Sequence, residues 1–317
     1  MDAAASPARE AADAPDRPGQ QVFGGMPDRL YVCTPTRLLT WLDCPRRYRF
    51  AYLDRPPLPK GPPWAHTSLG AAAHTALARW YGLPFAQRVP LRGRDLVRQA
   101  WLRDGFRDDA QSAVARELVA QWVHEYVSRV DPADEPVGIE RVVSSPTRTL
   151  VITGRVDRID HRDERVVIVD YKTGRRPPTD DDARSSLALG MYAVAARRTL
   201  RRPVGRVELH HLPTGQVAVA EHDEAALDRK VSEAESIARD AAAADAAYAA
   251  GDRSDARFPP SPSPGCSWCD FRRHCPQGQD AAPVLEPWSG LPVLPSRSSA
   301  PSRPDVAGAA GGWGAAP

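Results

Sequence analysis

The feature that most constrains the fold is the segment 154–174, which reads GRVDRIDHRDERVVIVDYKTG. Two runs rich in β-branched residues, LVITGRVDRI and RVVIVDYK, flank a short polar connection, HRDE. β-Branched residues favour strands, and a connection of this length favours a hairpin. The sequence therefore predicts two antiparallel strands.

The second predicted strand carries an aspartate and a lysine two positions apart. Because side chains alternate along a strand, Asp170 and Lys172 would share one face, with Tyr171 on the other. Lysine is rare in this chain: of the 42 Lys and Arg residues, only those at positions 60, 172 and 230 are Lys. Its ammonium can approach a single oxygen as a compact charge. With Asp157 on the same face, two carboxylates would suit a hard divalent cation. An exposed surface ion pair is the simpler alternative.

Two further residues could serve such a site. His74 ends the Ala-rich segment LGAAAH and is either a half-buried structural histidine or a metal ligand. Glu140 falls at the start of another predicted strand. It is interpreted as a surface carboxylate in preference to an accessory ligand.

The cysteines form a second candidate site. Cys266, Cys269 and Cys275 follow a Cx2Cx5C spacing, and Cys44 and Cys33 lie far upstream. Cys44 is the preferred fourth ligand because, like Cys275, it precedes a proline that interrupts a helix. Cys33 is interpreted as a small packed residue. With no signal peptide expected, the chain is assigned to the reducing cytoplasm, where grouped cysteines bind metal more often than they form disulfides. Zinc and iron–sulfur clusters both accept four thiolates.

Composition predicts one folded domain between two tails. A chain of 317 residues with 42% hydrophobic content can bury a sizeable core. Residues 1–28 and 281–317 are biased in composition and expected to be disordered, which leaves a domain over 29–280. No apolar run reaches the roughly 20 residues of a membrane span. The net charge of +2 does not by itself indicate nucleic-acid binding.

Predicted strands over 137–144, 149–160 and 165–172 precede a helix near 181–199, another strand at VGRVELHHL and a long helix ending at Gly251. Arginines beside Tyr48 and Phe50 could follow phosphates while the rings stack on bases. Equally, the rings could lie in the core and the arginine stems could cover a helix surface.

GRVD followed by VVDYKTG resembles motifs II and III of the PD-(D/E)XK nuclease superfamily, in the form found in RecB-type exonucleases. LGAAAH resembles the first motif. The resemblance covers about 33–278 and implies an α/β restriction-endonuclease-like core, a mixed central sheet flanked by helices. It implies that Mg2+ or Mn2+ is held by His74, Asp157, Asp170 and the Tyr171 carbonyl, with Lys172 beside the nucleophile. The stretch ALGMY departs from the family's QLxxY, because Ala188 replaces the glutamine.

One cysteine before the first motif and three after the last resemble the iron staple of RecB-type and CRISPR-associated nucleases. This implies a 4Fe-4S cluster on Cys44, Cys266, Cys269 and Cys275, with zinc as the alternative. The implied function is a metal-dependent DNA exonuclease in repair, recombination or defence. No Walker sequence is present, so unwinding would require a helicase partner. The alternatives are a non-catalytic DNA-binding or scaffold subunit of a helicase–nuclease complex and a zinc-bound structural module.

Overall fold

A computed structural model describes residues 30–162 and 165–292, so the predicted tail 1–28 lies outside the described residues. The strands are β1 Tyr31–Cys33, β2 Gly138–Pro146, β3 Leu150–Arg162, β4 Arg165–Lys172, β5 Val204–His211 and β6 Gln216–Glu221. The α-helices are α1 Pro35–Asp43, α2 Pro45–Tyr48, α3 Ala65–Tyr81, α4 Pro90–Ala100, α5 Asp109–Val127, α6 Asp180–Ser185, α7 Leu187–Leu200, α8 Glu224–Ala249 and α9 Pro276–Ala281.

The strands form one mixed sheet in the order β1-β3-β4-β5-β6, and β2 pairs with β3. β3 and β4 are antiparallel, as the hairpin prediction required. β4 and β5 are parallel, so the chain must cross between them, and α6 and α7 lie in that connection. This mixed sheet with flanking helices confirms the predicted fold class at the level of an α/β architecture.

The central strand β4 is buried on both faces, which explains its continuous apolar run. Val166 and Ile168 face a core that includes residues of α7 and α8, named here the α7-side core. Val167, Val169 and Tyr171 face a core formed with α3, α4 and α5, named the α3-side core. Each helical layer therefore packs on its own face of β4.

The regular alternation of side chains is interrupted in β3 at Asp157. Val156 and Ile159 are three residues apart, yet both belong to the α7-side core, where strict alternation would put them on opposite faces. Glu140 falls opposite Asp157, between the pairs Ile139↔Arg158 and Arg141↔Val156, and has a φ of 47°. That conformation is uncommon for a residue other than glycine, so β2 and β3 are both irregular at these two carboxylates.

The predicted helix over 181–199 is two helices, α6 and α7. Ser186 separates them because its hydroxyl accepts a hydrogen bond from the Leu189 N–H at 3.2 Å and caps α7. The other predicted elements of this region are confirmed, since β2, β3, β4, β5 and α8 all lie close to the expected positions.

The predicted tail 281–317 is described only as far as residue 292, and 293–317 lie outside the described residues. Residues 283–292, named here the C-terminal strap, pack on the domain. Leu291 is 5% exposed in the α3-side core, and the Pro287 carbonyl accepts a hydrogen bond from the Ala65 N–H at 3.0 Å. The composition of the segment does not predict this packing, because two apolar residues, Trp288 and Leu291, anchor a segment that is otherwise rich in small and polar residues. Within the described ranges, every helix is too short or too polar to cross a bilayer.

Candidate functional site

Helix α3 brings His74 to the end of the β3–β4 hairpin. The helix can lie close to the chain after β4, since a methyl group added at Gly70 would be 3.3 Å from the Thr173 hydroxyl. His74 Nδ1 lies 3.2 Å from Asp157 Oδ2, and its Nε2 lies 3.1 Å from the Tyr171 carbonyl oxygen. The Tyr171 N–H donates to Asp157 Oδ2 at 3.0 Å. Three predicted site residues therefore meet at one point.

Glu140 joins this group, contrary to its interpretation as a surface carboxylate. Ligand atoms of His74, Glu140 and Asp157 all lie within 4.8 Å of one another. An ion with bonds of about 2.0–2.5 Å separates opposite ligands by about 4–5 Å, so this spacing suits a single hard cation. The donor set of one imidazole and two carboxylates fits Mg2+ or Mn2+ as well. Arg155 contacts Glu140 at 2.8 Å and partly balances its charge.

The titration behaviour of these groups reflects crowded negative charge. Burial and then the charge of Asp157 raise the pKa of Glu140. Burial alone would lower the pKa of His74, but its hydrogen bond to Asp157 and the nearby carboxylates outweigh burial and raise it. Carboxylates that repel one another in this way would be relieved by a bound cation.

Asp170 and Lys172 share a face of β4, and Lys172 Nζ lies 2.8 Å from Asp170 Oδ2. Burial raises the pKa of Asp170, against the lowering effect of Lys172. Asp170 falls directly opposite Asp157, one position beyond the pair Arg158↔Val169 in the antiparallel register of β3 and β4. Asp170 is not within the compact group formed by His74, Glu140 and Asp157. The Asp–Lys pair lies beside that group and not inside it.

Strand β5 fixes the chain that follows Lys172. The Leu212 N–H donates to the Lys172 carbonyl at 2.9 Å, and His211 Nε2 donates to the Gly174 carbonyl at 2.7 Å. His210 points to the other face and contacts Tyr126, as expected from strand alternation. The end of β4 is therefore held on both sides, by α3 and by β5.

An open cleft of about 620 Å3 adjoins the site. Its lining residues are Thr67, Gly70, Ala71, His74, Thr75, Ala78, Arg79, Glu140, Arg155 and Asp157. Asp170 and Lys172 do not line it. The cleft gives a solvent-side approach to the group formed by His74, Glu140 and Asp157.

Helix α7 packs its tyrosine against the hairpin. A methyl group at Gly154 would lie 2.4 Å from Tyr192 Cε1, so glycine is needed for this close approach. Burial and then the charges of Asp170 and Asp157 raise the pKa of Tyr192. Ala188 lies one turn earlier on α7 and is half-buried, without a polar group to offer the site.

The four cysteines expected to act together line one small cavity of about 50 Å3, with Phe50 and Phe271 among its other walls. Cys44 comes from the N-terminus of α2, and the other three come from the region after α8. Gly278 lies beside two of these sulfurs, because a methyl group there would be in ordinary van der Waals contact with Cys275 at 3.5 Å and with Cys266 at 3.6 Å. Cys33 lies elsewhere, 2% exposed in the α7-side core, and burial raises its pKa to about 11.

The arginine and aromatic residues beside Cys44 do not form a surface for bases. Tyr48 is fully buried and donates a hydrogen bond to Asp245 at 2.8 Å, and Phe50 is buried as well. The Arg46 side chain is also buried, with a hydrogen bond to Gln277 at 2.8 Å. The alternative of core packing is therefore correct for these residues.

Comparison with known proteins gives a family match over residues 32–276, to the PD-(D/E)XK nuclease superfamily. No curated protein sequence matches the chain. Among solved structures, a "Putative exonuclease" from Eubacterium rectale aligns with TM-score 0.40 and 8% identity over 81% of this chain and 94% of that one. The protein SSO0001 aligns with TM-score 0.31 and 14% identity over 80% of this chain and 89% of that one. Because both TM-scores are below 0.5, the assignment of the chain to a family rests on the family match over residues 32–276.

Proposed function

Because the chain belongs to the PD-(D/E)XK nuclease superfamily, we propose that it is a metal-dependent deoxyribonuclease and that it acts as an exonuclease. The observation that carries this proposal is the convergence of His74, Glu140 and Asp157 within 4.8 Å, beside the Asp170–Lys172 pair. Carboxylates and one imidazole at the end of paired strands suit a divalent ion, and an adjacent ammonium suits phosphate chemistry.

In this proposal, His74, Glu140, Asp157 and Asp170 would hold Mg2+ or Mn2+, with the Tyr171 carbonyl as a further ligand. Such an ion polarises a phosphoryl oxygen and lowers the pKa of water. Lys172 would direct its ammonium towards the attacking oxygen and the charge that develops on the phosphate. Because only a neutral imidazole nitrogen binds metal, the raised pKa of His74 would make protons compete with the ion for this ligand.

The direct test is a nuclease assay on DNA with and without Mg2+ or Mn2+. Lys172→Ala should abolish cleavage while leaving the fold intact, and Lys172→Arg should restore little, because the planar guanidinium does not reproduce a point charge. Lys60→Ala is the matched control, since Lys60 is 68% exposed, its Nζ lies 3.9 Å from Asp270, and it does not line the cleft beside His74. Cleavage that survives in Lys172→Ala would contradict the assignment of this lysine.

Substrate topology separates an exonuclease from an endonuclease. The proposed enzyme should degrade linear DNA from a free end and leave covalently closed circles intact. Both substrates should be incubated under one metal condition and analysed on the same gel. Efficient nicking of the circles would show endonuclease action and overturn the exonuclease part of the proposal.

We also propose that Cys44, Cys266, Cys269 and Cys275 hold a 4Fe-4S cluster. Zinc with bonds of about 2.3 Å in tetrahedral geometry would bring its sulfurs within about 3.8 Å of one another. In residues 30–162 and 165–292, which include all four cysteines, no three sulfurs lie within 4.8 Å of one another. A four-iron cluster tolerates wider spacing because each thiolate binds a different iron.

A second candidate function is a non-catalytic DNA-binding or scaffold subunit that engages a helicase. The observation that favours it is Ala188, which offers no amide at the position where the superfamily motif has glutamine. The same assay decides between the two functions. DNA binding without metal-dependent cleavage, in protein with a full metal complement, would favour the scaffold role.

A further inference from the structure

Behind the candidate metal site, on the α3 side of the sheet, lies a buried guanidinium surrounded by phenols. Arg158 of β3 is 4% exposed. Its Nη1 donates to the hydroxyls of Tyr81, Tyr126 and Tyr171, with separations of 2.9 Å to Tyr126 and 3.2 Å to Tyr171. These four residues are named the Arg158 cluster. They come from β3, α3, α5 and β4, so one cation joins four elements.

The cluster is balanced in charge and fixed in geometry. Arg158 Nε lies 2.9 Å from Asp160 Oδ1, which supplies a counter-charge. The Tyr126 hydroxyl donates to His210 Nδ1 at 2.8 Å, and His210 Nε2 donates to Glu208 at 2.8 Å. A buried charge is tolerated only when it is paired and hydrogen-bonded in this way, so loss of a single partner is costly.

Tyr171 joins this cluster to the metal site through its own backbone. Its N–H donates to Asp157 Oδ2 at 3.0 Å, and its carbonyl accepts from His74 Nε2 at 3.1 Å. The rings of Tyr171 and His74 also meet edge to face, with centroids 5.8 Å apart. Displacement of the Tyr171 ring would therefore move the backbone atoms that orient both His74 and Asp157.

We propose that Arg158 is a positioning residue for the metal site and that it acts through the Tyr171 hydroxyl. This inference rests on the proposed function of the same site. The guanidinium holds the phenol, the phenol fixes the backbone at the end of β4, and that backbone orients His74 and Asp157. Groups in this outer position commonly change metal affinity by about 10- to 100-fold when altered.

The chain offers a matched comparison, because Tyr81 and Tyr171 both bind Arg158 Nη1 through their hydroxyls. Tyr81 contributes to the Arg158 cluster from the end of α3. Tyr81→Phe and Tyr171→Phe each remove one oxygen and one bond to the same guanidinium. If the cluster only stabilises the fold, both variants should lose similar stability and neither should change the metal affinity. If Arg158 positions the site through Tyr171, the two variants should differ in metal affinity.

The experiment measures Mn2+ binding to the full chain by isothermal titration calorimetry, together with the Mn2+ concentration that gives half-maximal cleavage. We expect Tyr171→Phe to weaken Mn2+ binding about tenfold. Tyr81→Phe should stay within about twofold of the wild type, at a comparable change in thermal midpoint. Equal effects of the two substitutions on Mn2+ affinity would overturn the proposal.

Arg158→Lys and its combination with Tyr171→Phe complete the test. Lysine keeps the positive charge but cannot reproduce all the hydrogen bonds that the planar guanidinium makes to the tyrosine hydroxyls. Arg158→Lys should therefore also weaken Mn2+ binding. The double variant should bind Mn2+ no more weakly than the weaker single variant, because both changes break one connection. Fully additive losses would contradict action through Tyr171. Calorimetry keeps this result separate from the proposed function, which fails if the wild type binds Mn2+ without cleaving DNA.

Discussion

At the residue scale, Glu140 shows how a backbone irregularity can place a side chain in a candidate site. Its φ of 47° is unfavourable for a residue with a Cβ, and its partner position across the sheet is Asp157. The two carboxylates then lie with His74 inside a 4.8 Å group. A strained backbone position that also concentrates negative charge is typical of binding sites.

Glu140→Gln tests this interpretation. The substitution keeps the shape of the side chain but removes a charge, so Mn2+ affinity should fall about tenfold while the fold is retained. Glu233→Gln on α8 is the control, because that carboxylate is exposed and outside the site. Calorimetric Mn2+ affinity equal to that of the wild type would remove Glu140 from the ligand set.

At the element scale, the C-terminal strap links two regions that carry candidate chemistry. It starts just after α9, which follows Cys275, and it reaches the loop beyond Lys172, where Arg175 Nε donates to the Leu291 carbonyl at 2.9 Å. The strap also covers the start of α3, the helix that bears His74. It therefore stabilises the helix and the loop on either side of the metal site.

Leu291→Ala should destabilise the domain by about 2–4 kcal/mol, because the side chain is buried in the α3-side core and its removal leaves a cavity. Val284→Ala is the matched control in the same strap, since Val284 is 75% exposed. Urea unfolding followed by circular dichroism gives both free energies. A loss below about 0.5 kcal/mol in Leu291→Ala, the range typical of surface substitutions, would show that the strap is not anchored in solution.

At the scale of the whole molecule, the cysteines bring together parts of the chain that are distant in sequence. Cys44 and Cys266 are 222 positions apart (266 − 44) and line the same cavity. A cluster bound by both would close a long loop and restrict the unfolded chain. Because ligand binding also couples to folding, the proposed cluster would stabilise the entire domain.

Cys44→Ala should therefore lose the brown colour and iron content expected of anaerobically purified protein and lower the thermal midpoint of the whole domain. Cys33→Ala should keep both colour and iron, because Cys33 lies in the α7-side core. Iron and zinc analysis with visible spectroscopy gives the answer. A colourless anaerobic preparation with one zinc per chain would refute the iron assignment.

Global stability should also fall in acid because of Glu208. Burial alone would raise its pKa, but hydrogen bonds from His210 and Arg206 outweigh burial and lower the pKa to about 2. A carboxyl whose folded-state pKa lies below its unfolded value of 4.5 stabilises the fold above that value and loses this effect as pH falls towards about 2. The contribution is on the order of 3 kcal/mol.

Glu208→Gln should therefore show a shallower loss of unfolding free energy as pH falls from 4.5 to about 2, the two pKa values that bound the effect. Glu221→Gln is the control, because Glu221 also contacts Arg206 yet is 60% exposed. Parallel pH profiles for wild type and Glu208→Gln in urea unfolding would contradict this assignment.

The sequence by itself determined the hairpin, its neighbouring strands and the face shared by Asp170 and Lys172, because strand periodicity and β-branched composition are local properties. It also indicated the right four cysteines for one cavity, since spacing and proline placement are visible along the chain. The family match agrees with the motifs read from His74 to Lys172.

Only the tertiary structure decided which distant groups meet. Glu140 enters the site because β2 and β3 are irregular at one register position, and Leu291 anchors the strap because a core between α3 and β4 accepts it. Tyr171 joins the Arg158 cluster to the metal site through a ring on one face and backbone atoms at the strand end. These contacts depend on packing between elements far apart in sequence, which periodicity and composition do not encode.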